Sequence, residues 1–175
     1  MDCIEEVQTM LKEIHLEELQ CNPFQLFHKD WALITAGDEK EYNTMTASWG
    51  HMGIIWNKNI VTVYVRPQRY THDFMEKFDR FTVSFYPESC REALTFCGKN
   101  SGRDTNKAKE TGLTPVHEEG MTYFSQAKLV LECKKVYVDE IDPKGFLDAS
   151  IDKHYPIQDY HTVYMGEVIR ILEER

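Results

Sequence analysis

Two arginines and a threonine lie close together in the segment Arg66-Pro67-Gln68-Arg69-Tyr70-Thr71. A β-branched run precedes this segment, and Pro67 ends it because proline cannot donate to a strand ladder. Thr71 is a suitable N-cap for a helix to about residue 78, and a helix N-terminus favours anions. Because arginine forks match phosphate oxygens, the spacing predicts a phosphate site. Two surface arginines beside a capped helix are the alternative.

Small hydroxyl side chains alternate along a second segment, residues 42–50. Thr44, Thr46 and Ser48 lie two residues apart, so a strand here would place them on one face. Small side chains also let a ring system approach the backbone, whose N–H and C=O groups can bind its polar edge. A half-exposed strand with a polar solvent face is the alternative.

A third segment, residues 97–107, combines two glycines, a serine and three basic residues. Such a loop can fold over an anionic or polar ligand. The order Gly-x-x-x-x-Gly-Lys-Ser/Thr is absent, so the loop is not a P-loop. An ordinary mobile loop is the alternative.

His161, at the entry to the last predicted strand, is the remaining candidate for chemistry. The other histidines show no spacing such as His-Glu-x-x-His, so we expect no metal site. The motif Gly-x-Ser-x-Gly does not occur, and no Gly-x-Gly-x-x-Gly opens a helix. These absences disfavour a serine hydrolase and a Rossmann dinucleotide-binding fold. A hydrogen-bonded surface histidine is the alternative for His161.

The elements that must position these residues are mainly strands. Alternation and β-branched content predict strands over residues 31–36, 44–49, 60–65, 80–85, 128–138 and 163–172, with Gly166 suited to a bulge. Helices are predicted over residues 71–78 and 88–96, and an amphipathic helix over 4–20. Few helices without βαβ alternation favour an α+β, mainly β fold, an antiparallel Greek-key barrel with short flanking helices. We expect an N-terminal helix over residues 1–21 and a single domain over 22–175.

Composition excludes several partners. The chain has 175 residues and a net charge of -9, with 20 basic residues scattered among 29 acidic ones, so neither nucleic acid nor a membrane surface is an expected partner. Five widely spaced cysteines argue against a disulfide framework. The first residues lack the features of a signal peptide, and no apolar run is long enough to span a membrane. We therefore expect a cytoplasmic protein.

The four segments, in this order, resemble the flavin reductase-like family of FMN-binding split barrels. The resemblance runs over about residues 22–172 and is closest to the flavoredoxin-like branch, through Asn-Thr-Met-Thr-Ala-Ser-Trp-Gly at 43–50, Arg-Pro-Gln-Arg-Tyr-Thr at 66–71 and Ser-Gly-Arg-Asp at 101–104. It implies an FMN-binding split β-barrel and a homodimer with each flavin at the subunit boundary. Trp49, Trp56 and Tyr64 are expected near that boundary.

The resemblance also implies roles for particular residues. Those along the flavin ring and ribityl chain would be Thr44, Met45, Thr46, Ala47, Ser48 and Trp49. Those around the phosphate would be Arg66, Pro67, Arg69, Tyr70 and Thr71. Those that close one side of the site would be Ser101, Gly102, Arg103 and Lys107. His161 would stand near the ring face where hydride arrives.

The activity implied is that of an oxidoreductase. Hydride from NADH or NADPH would reach the flavin, and the electrons would pass to free flavin, a partner monooxygenase, a ferric complex or another carrier. A non-enzymatic FMN-binding electron carrier or redox sensor is the main alternative, and oxidation of a pyridoxamine phosphate-like substrate is a third.

The sequence departs from the family pattern at two places. Asn106 and Ala108 flank Lys107, where the family often has Asp and Phe, and Tyr160 separates Asp159 from His161, where an Asp-His pair is common. Both departures lie on the expected nicotinamide side, so they bear on the reductant more than on FMN binding.

Overall fold

The computed structural model describes residues 10–175 of the chain. Its strands are β1 Leu11–Ile14, β2 Ala32–Gly37, β3 Tyr42–Ala47, β4 Gly50–Ile55, β5 Lys58–Val65, β6 Arg80–Phe85, β7 Pro115–Glu118, β8 Met121–Phe124, β9 Leu129–Glu140 and β10 Thr162–Glu174. Its helices are α1 Pro23–Gln25, α2 Tyr70–Lys77, α3 Arg91–Lys99 and α4 Lys107–Thr111. A π-helical segment, Leu26–Asp30, continues α1, and 3-10 turns occupy Leu16–Glu18, Glu88–Cys90, Pro143–Gly145 and Ala149–His154. Within the described residues, no helix is long and apolar enough to cross a membrane.

The main sheet is antiparallel and runs in the order β3-β2-β6-β9-β10-β5-β4, with β1 paired to β10. Its two end strands, β3 and β4, are consecutive in the chain and joined only by Ser48 and Trp49. A sheet whose first and last strands are so closely joined must curl round on itself. The result is a barrel that is split between β3 and β4, which confirms the predicted α+β, mainly β, split-barrel fold.

Alternation along the strands separates two buried clusters. Phe81, Val83 and Phe85 of β6 enter the larger cluster, which is formed by β2, β3, β5, β6, β9 and β10, as their predicted shared face requires. The smaller cluster lies on the other face of the sheet, where Leu33 and Val130 pack against Leu94 of α3. The packing of α3 on this face holds it beside β3.

All six predicted strands are present, with ends that shift by a few residues, and the predicted irregularity at Gly166 is confirmed as a register shift between Met165 and Gly166 against β9. A Cβ on Gly166 would lie 2.6 Å from the Phe81 ring, so this strand crossing requires glycine. The four strands that the sequence reading missed are β1, β4, β7 and β8. Of these, β4 matters most, because it forms one side of the split.

The predicted N-terminal helix is wrong over the part that the structure describes, while residues 1–9 lie outside the described residues. Leu11–Ile14 is a strand paired with Ile171–Glu174 of β10. The long β10 extends beyond the end of β5, and its unpaired backbone groups there are satisfied by β1. The helix after β5 also differs slightly from the prediction, since its N-cap is Arg69 and not Thr71.

Candidate functional site

The split in the barrel opens into a cavity of about 250 Å³. The β3–β4 link forms one side of it and the ends of β5 and β10 form the other. The residues that line this middle cavity are Met45, Thr46, Ala47, Ser48, Trp49, Tyr64, Arg66, Arg69 and His161. The sequence analysis selected all of these except Tyr64 as cofactor-binding or catalytic candidates, so the fold brings three separate segments together.

Arg69 connects the middle cavity to a second cavity of about 150 Å³ at the start of α2. The second cavity is also lined by Asn43, Gln68, Tyr70, Thr71, Gly98, Lys99, Asn100, Ser101, Gly102 and Lys107. The loop after α3 therefore folds back to the N-terminus of α2, a placement that the sequence analysis did not predict. We call this second cavity, with Arg69, Thr71 and Lys107, the anion end.

The chain positions Arg66 and Arg69 with a tight turn. The Arg69 N–H donates to the Arg66 carbonyl at 3.0 Å, and Pro67 occupies the position of a turn where its fixed φ is favourable. The next residues continue directly into α2, with Arg69 as the N-cap. This turn places the two arginines at opposite ends of four residues, and their side chains have different partners.

Arg69 and Lys107 are cations for which the described residues supply no carboxylate. Lys107 is only 6% exposed, and its Nζ donates to the Thr44 carbonyl at 2.7 Å and the Cys97 carbonyl at 2.9 Å. Burial lowers the pKa of Lys107 to about 8, and the positive charge of Arg69 acts in the same direction. Burial also lowers the pKa of Arg69. An anion bound here would offset the desolvation of both cations.

Close packing joins the loop to the anion end. The Asn43 Nδ2 donates to the Thr71 Oγ1 at 2.8 Å, which leaves the Thr71 hydroxyl proton available to another acceptor. A Cβ on Gly102 would lie 2.0 Å from the Asn43 Oδ1, so only glycine permits this approach of the loop. The packing of the loop against Asn43 therefore depends on glycine at position 102.

Arg66 is engaged on the opposite side. Its Nη1 donates to the Asp159 Oδ2 at 2.6 Å, and its Nη2 donates to the His154 carbonyl at 2.9 Å. Its guanidinium also lies 5.0 Å from the centre of the Tyr155 ring. Gln68 donates to the same Asp159 oxygen, and together they hold the pKa of Asp159 below its usual value. Arg66 lines the middle cavity but not the anion end, so the predicted convergence of both arginines there is met by Arg69 alone.

His161 faces the middle cavity in an aromatic setting, which we call the aromatic end. Its Nδ1 is 2.9 Å from the Tyr155 hydroxyl, and its ring centre is 5.0 Å from that of Trp49. Burial, with the positive charge of Arg66 acting in the same direction and Asp159 opposing them, lowers the pKa of His161 to about 4. The imidazole is therefore neutral at physiological pH, which makes it a hydrogen-bonding group and not a cation.

Several predicted site residues occupy other positions. The Thr44 hydroxyl is buried, where it bonds the Thr35 Oγ1 at 2.8 Å, so the prediction of three aligned ligand hydroxyls is wrong for Thr44. Thr46 donates its hydroxyl to the Leu94 carbonyl. Arg103 lines neither cavity; it pairs with Asp73 at 2.7 Å and covers the Tyr70 ring. Pro67 also lines neither cavity, and it contributes by shaping the turn between Arg66 and Arg69.

Four residues that complete the site were not selected from the sequence. They are Asn43, Tyr64, Tyr155 and Asp159. Asn43 and Tyr64 had a detectable signal, because each adjoins or lies on a predicted ligand strand. Tyr155 and Asp159 come from the irregular segment between β9 and β10, where no periodicity indicates which side chains face the barrel.

The site therefore combines an anion end, a middle cavity of aromatic and hydroxyl groups, and a neutral histidine, on a split antiparallel barrel. The model of the flavin reductase like domain matches residues 24–175, which is most of the chain. This protein belongs to the flavin reductase like domain family.

Individual relatives are distant. An uncharacterised protein of Pyrococcus abyssi is 25% identical over 139 residues, which cover 78% of this chain and 69% of the relative. An FMN-binding domain of a flavin reductases-like enzyme from Shewanella baltica has a similar fold, with a TM-score of 0.70 and 18% identity over 97% of this chain and 80% of that one. Flavoredoxin from Methanosarcina acetivorans is similar at a TM-score of 0.65 and 20% identity, over 83% and 69% of the two chains.

Proposed function

We propose that this protein binds FMN and acts as a reductase that passes hydride from NADH or NADPH to the bound flavin. The observation that carries the proposal is the pair of desolvated cations, Arg69 and Lys107, beside Thr71 at the anion end. Such a pair fits a phosphate dianion, because phosphate oxygens accept several charge-assisted hydrogen bonds at once. The adjoining middle cavity has the aromatic and hydroxyl groups that a flat polar ring requires.

In this assignment the phosphate is held by Arg69, Lys107 and the Thr71 hydroxyl, and the loop residues Ser101 and Gly102 close over it. The ring lies against the β3–β4 link, where Thr46, Ser48 and Trp49 line the middle cavity. Bound FMN supplies the hydride-accepting and hydride-donating chemistry, while the protein binds, orients and shields it. Met45 and Ala47 contribute through the backbone, since their side chains pack in the core.

His161 acts in this proposal by position and hydrogen bonding. Because its pKa is lowered to about 4, the imidazole is neutral at pH 7 and does not act as a general acid. Its bond to Tyr155 fixes the ring orientation, and its second nitrogen remains available to a ligand in the middle cavity. The donor nicotinamide would approach this side.

Two measurements test the proposal. Fluorescence quenching should give a tighter dissociation constant for FMN than for riboflavin, because riboflavin lacks the phosphate. Anaerobic stopped-flow mixing of the FMN-loaded protein with NADH or NADPH should bleach the flavin rapidly. Equal affinities for the two flavins would contradict the phosphate assignment. Absence of bleaching with both nicotinamides would contradict the proposed reductase activity.

A non-enzymatic FMN-binding electron carrier is the second candidate. The pairing of Arg66 with Asp159 favours it, because this bridge removes a cation that could otherwise bind a dinucleotide phosphate. Such a carrier would bind FMN with the same preference over riboflavin but would be reduced by dithionite and not by nicotinamides. Under the first proposal the electrons would pass on to free flavin, a partner monooxygenase, a ferric complex or another carrier.

We also propose a homodimer. Exposed apolar side chains cluster near the β4–β5 turn, where the Trp56 ring lies 5.9 Å from that of Tyr137 and Ile54 is 70% exposed. Trp49, on the β3–β4 link, is also exposed. Aromatic residues are enriched at interface cores. Light scattering should give twice the monomer mass, and a monomer that holds stoichiometric FMN would contradict the proposal.

A further inference from the structure

A third cavity, of about 540 Å³, adjoins the middle cavity on the side away from the anion end. The two cavities share Ser48, Trp49 and Tyr64, so a molecule in one borders the contents of the other. The rest of its wall includes Phe24, Met52 and Ile141. We call this the apolar cavity.

The lining of the apolar cavity differs from that of the anion end in charge. Among the described residues that line it, none is lysine, arginine, aspartate or glutamate. The anion end, in contrast, gathers Arg69 and Lys107. An anionic group placed inside the apolar cavity would lose hydration without gaining a lysine or arginine, so the lining favours an uncharged ring.

The polar side chains of the cavity, which can bind an oxygen acceptor, are His28, Ser48, His51, Tyr64 and Tyr155. The Tyr64 hydroxyl is 3.0 Å from the His51 Nδ1, and both side chains line the wall. A hydroxyl and an imidazole so placed can donate a hydrogen bond to a carbonyl oxygen. The volume lies within the range of roughly 300–1,000 Å³ that is typical of small-molecule sites.

Backbone features position parts of the wall, and Phe24 lies at its rim, where it is 85% exposed. Asn22 caps α1 through its Oδ1, which accepts from the Phe24 and Gln25 N–H groups, and this positions the segment that carries Phe24. A Cβ on Gly50 would lie 2.2 Å from the Phe27 ring, so Gly50 allows that buried ring to approach β4. These features place the Phe24 segment and the Phe27 ring beside β4, and the exposed Phe24 ring gains burial when it covers a ligand.

We propose that the apolar cavity binds an uncharged, planar electron acceptor of the quinone class. Its redox role rests on the proposed function, because the electrons come from reduced FMN in the middle cavity. A fully reduced flavin gives up two electrons and two protons, and the quinone that takes them leaves as a hydroquinone. Tyr64 or His51 donates a hydrogen bond to the quinone oxygen, while Phe24 and Met52 cover the quinone ring.

Equilibrium dialysis of the protein as purified tests binding without turnover. Menadione should bind with a measurable dissociation constant, and 1,4-naphthoquinone-2-sulfonate should bind at least about tenfold more weakly because its charge finds no partner. The variant Phe24→Glu places a carboxylate at the wall and should weaken menadione about tenfold. Leu147→Glu is the control, because Leu147 is fully exposed and lies outside the cavity. Equal binding by Phe24→Glu and wild type would overturn the proposal.

A kinetic experiment tests the redox role separately from the nicotinamide reaction. The FMN-loaded protein is photoreduced without air and mixed with menadione, and the rate of flavin reoxidation should saturate with menadione concentration. Phe24→Glu should raise the half-saturating concentration about tenfold, with reoxidation by ferricyanide unchanged. A rate that stays linear in menadione for the wild type overturns the proposal. Failure of NADH to bleach the flavin would count against the reductase only.

The competing occupant is a second copy of this chain. If Phe24→Glu changes the mass seen by light scattering while menadione binding stays at the wild-type value, the cavity is part of an interface and the proposal is wrong. Binding that weakens at unchanged mass supports the quinone site.

Discussion

Each end of the site contains an arginine, but the two arginines have different surroundings. At the anion end, Arg69 and Lys107 are drawn out of water without a carboxylate among the described residues. At the aromatic end, Arg66 has Asp159, the His154 carbonyl and the Tyr155 ring, and His161 has Tyr155. Among the described residues, no carboxylate pairs with the cations of the first end, whereas the second end finds its partners within the chain.

This difference separates a binding role from a positioning role. A desolvated cation without a carboxylate costs free energy that a bound anion can offset, and this is the ground on which we assign the ligand phosphate to the anion end. A cation already paired with a carboxylate gains less from a second anion, but it fixes the segment that carries its partner. Arg66 therefore holds the stretch before β10 that carries Tyr155 and His161, whereas Arg69 is the residue to which our proposal assigns the phosphate.

The largest expected effect comes from removing the unpaired arginine. Arg69→Ala deletes a guanidinium fork from the anion end, so FMN affinity should fall by roughly 1.5–3 kcal/mol, about 10- to 150-fold. Riboflavin affinity should change little, because riboflavin has no phosphate. Flavin fluorescence quenching measures both. Arg175→Ala, which removes an arginine paired with Glu18 and Glu173, is the control. Normal FMN binding by Arg69→Ala would show that the anion end is assigned wrongly.

The next effect concerns the aromatic end. His161→Ala should leave FMN affinity nearly intact and slow reduction of the flavin by nicotinamide by roughly 10- to 100-fold, because a group at the ring face is lost. Single-turnover stopped-flow kinetics separates this step from binding. Since the pKa of His161 is lowered to about 4, the wild-type reduction rate should show no ionisation from this residue between pH 5.5 and 8. Reduction of His161→Ala at the wild-type rate would make the histidine a bystander.

A smaller effect tests the separation of the two arginines directly. Arg66→Ala should keep the ratio of FMN to riboflavin affinities within about threefold of the wild type, because the paired arginine contributes little to the phosphate. It should slow flavin reduction, since the segment with Tyr155 and His161 loses its anchor. In a double-mutant cycle, Arg66→Ala and Asp159→Ala should be non-additive in the reduction rate. If Arg66→Ala lost the preference for FMN over riboflavin, Arg66 would also bind the phosphate and the two arginines would not have separate roles.

Strand content and the location of the site could be predicted from the sequence. Runs such as Ile60–Val65 and Arg80–Phe85 carry β-branched residues and alternation strong enough to define strands, and Pro67 marks the end of one. The short β1 could not be predicted, because Leu11–Ile14 also fits a helical stripe and becomes a strand only through the free edge of β10. The two glycines of β4 likewise weakened its strand signal.

The long-range partners of the polar side chains could not be predicted from the sequence. Arg66 and Arg69 look equivalent in the chain, and nothing local reveals that Asp159, about ninety residues away, takes one of them. Thr44 and Ser48 also look equivalent, but the pairing of β3 with β2 places Thr44 opposite Thr35, which takes its hydroxyl. Tertiary pairing decides which polar groups remain free for a ligand, and it leaves no periodic trace in the sequence.

The smallest expected effect is a proton that follows the ligand to the anion end. The pKa of Lys107 is about 8 in the ligand-free protein, so near pH 8 about half of the molecules hold a neutral lysine. A phosphate dianion beside Lys107 raises that pKa, so FMN binding at pH 8 should take up about half a proton. The sign follows from the charge: the bound state holds more protons, so FMN affinity should fall as the pH rises above 8.

Titration calorimetry at pH 8, in buffers of different ionisation enthalpy, measures this uptake. The phosphate of FMN has its second pKa near 6, so it is already a dianion and adds little to the count. Riboflavin should bind without uptake, which makes it the matched ligand control. Lys107→Arg keeps a charge that does not titrate in this range, so it should abolish the uptake, although its altered shape can weaken binding. Uptake by riboflavin, or uptake that persists in Lys107→Arg, would assign the proton to another group and separate Lys107 from the phosphate.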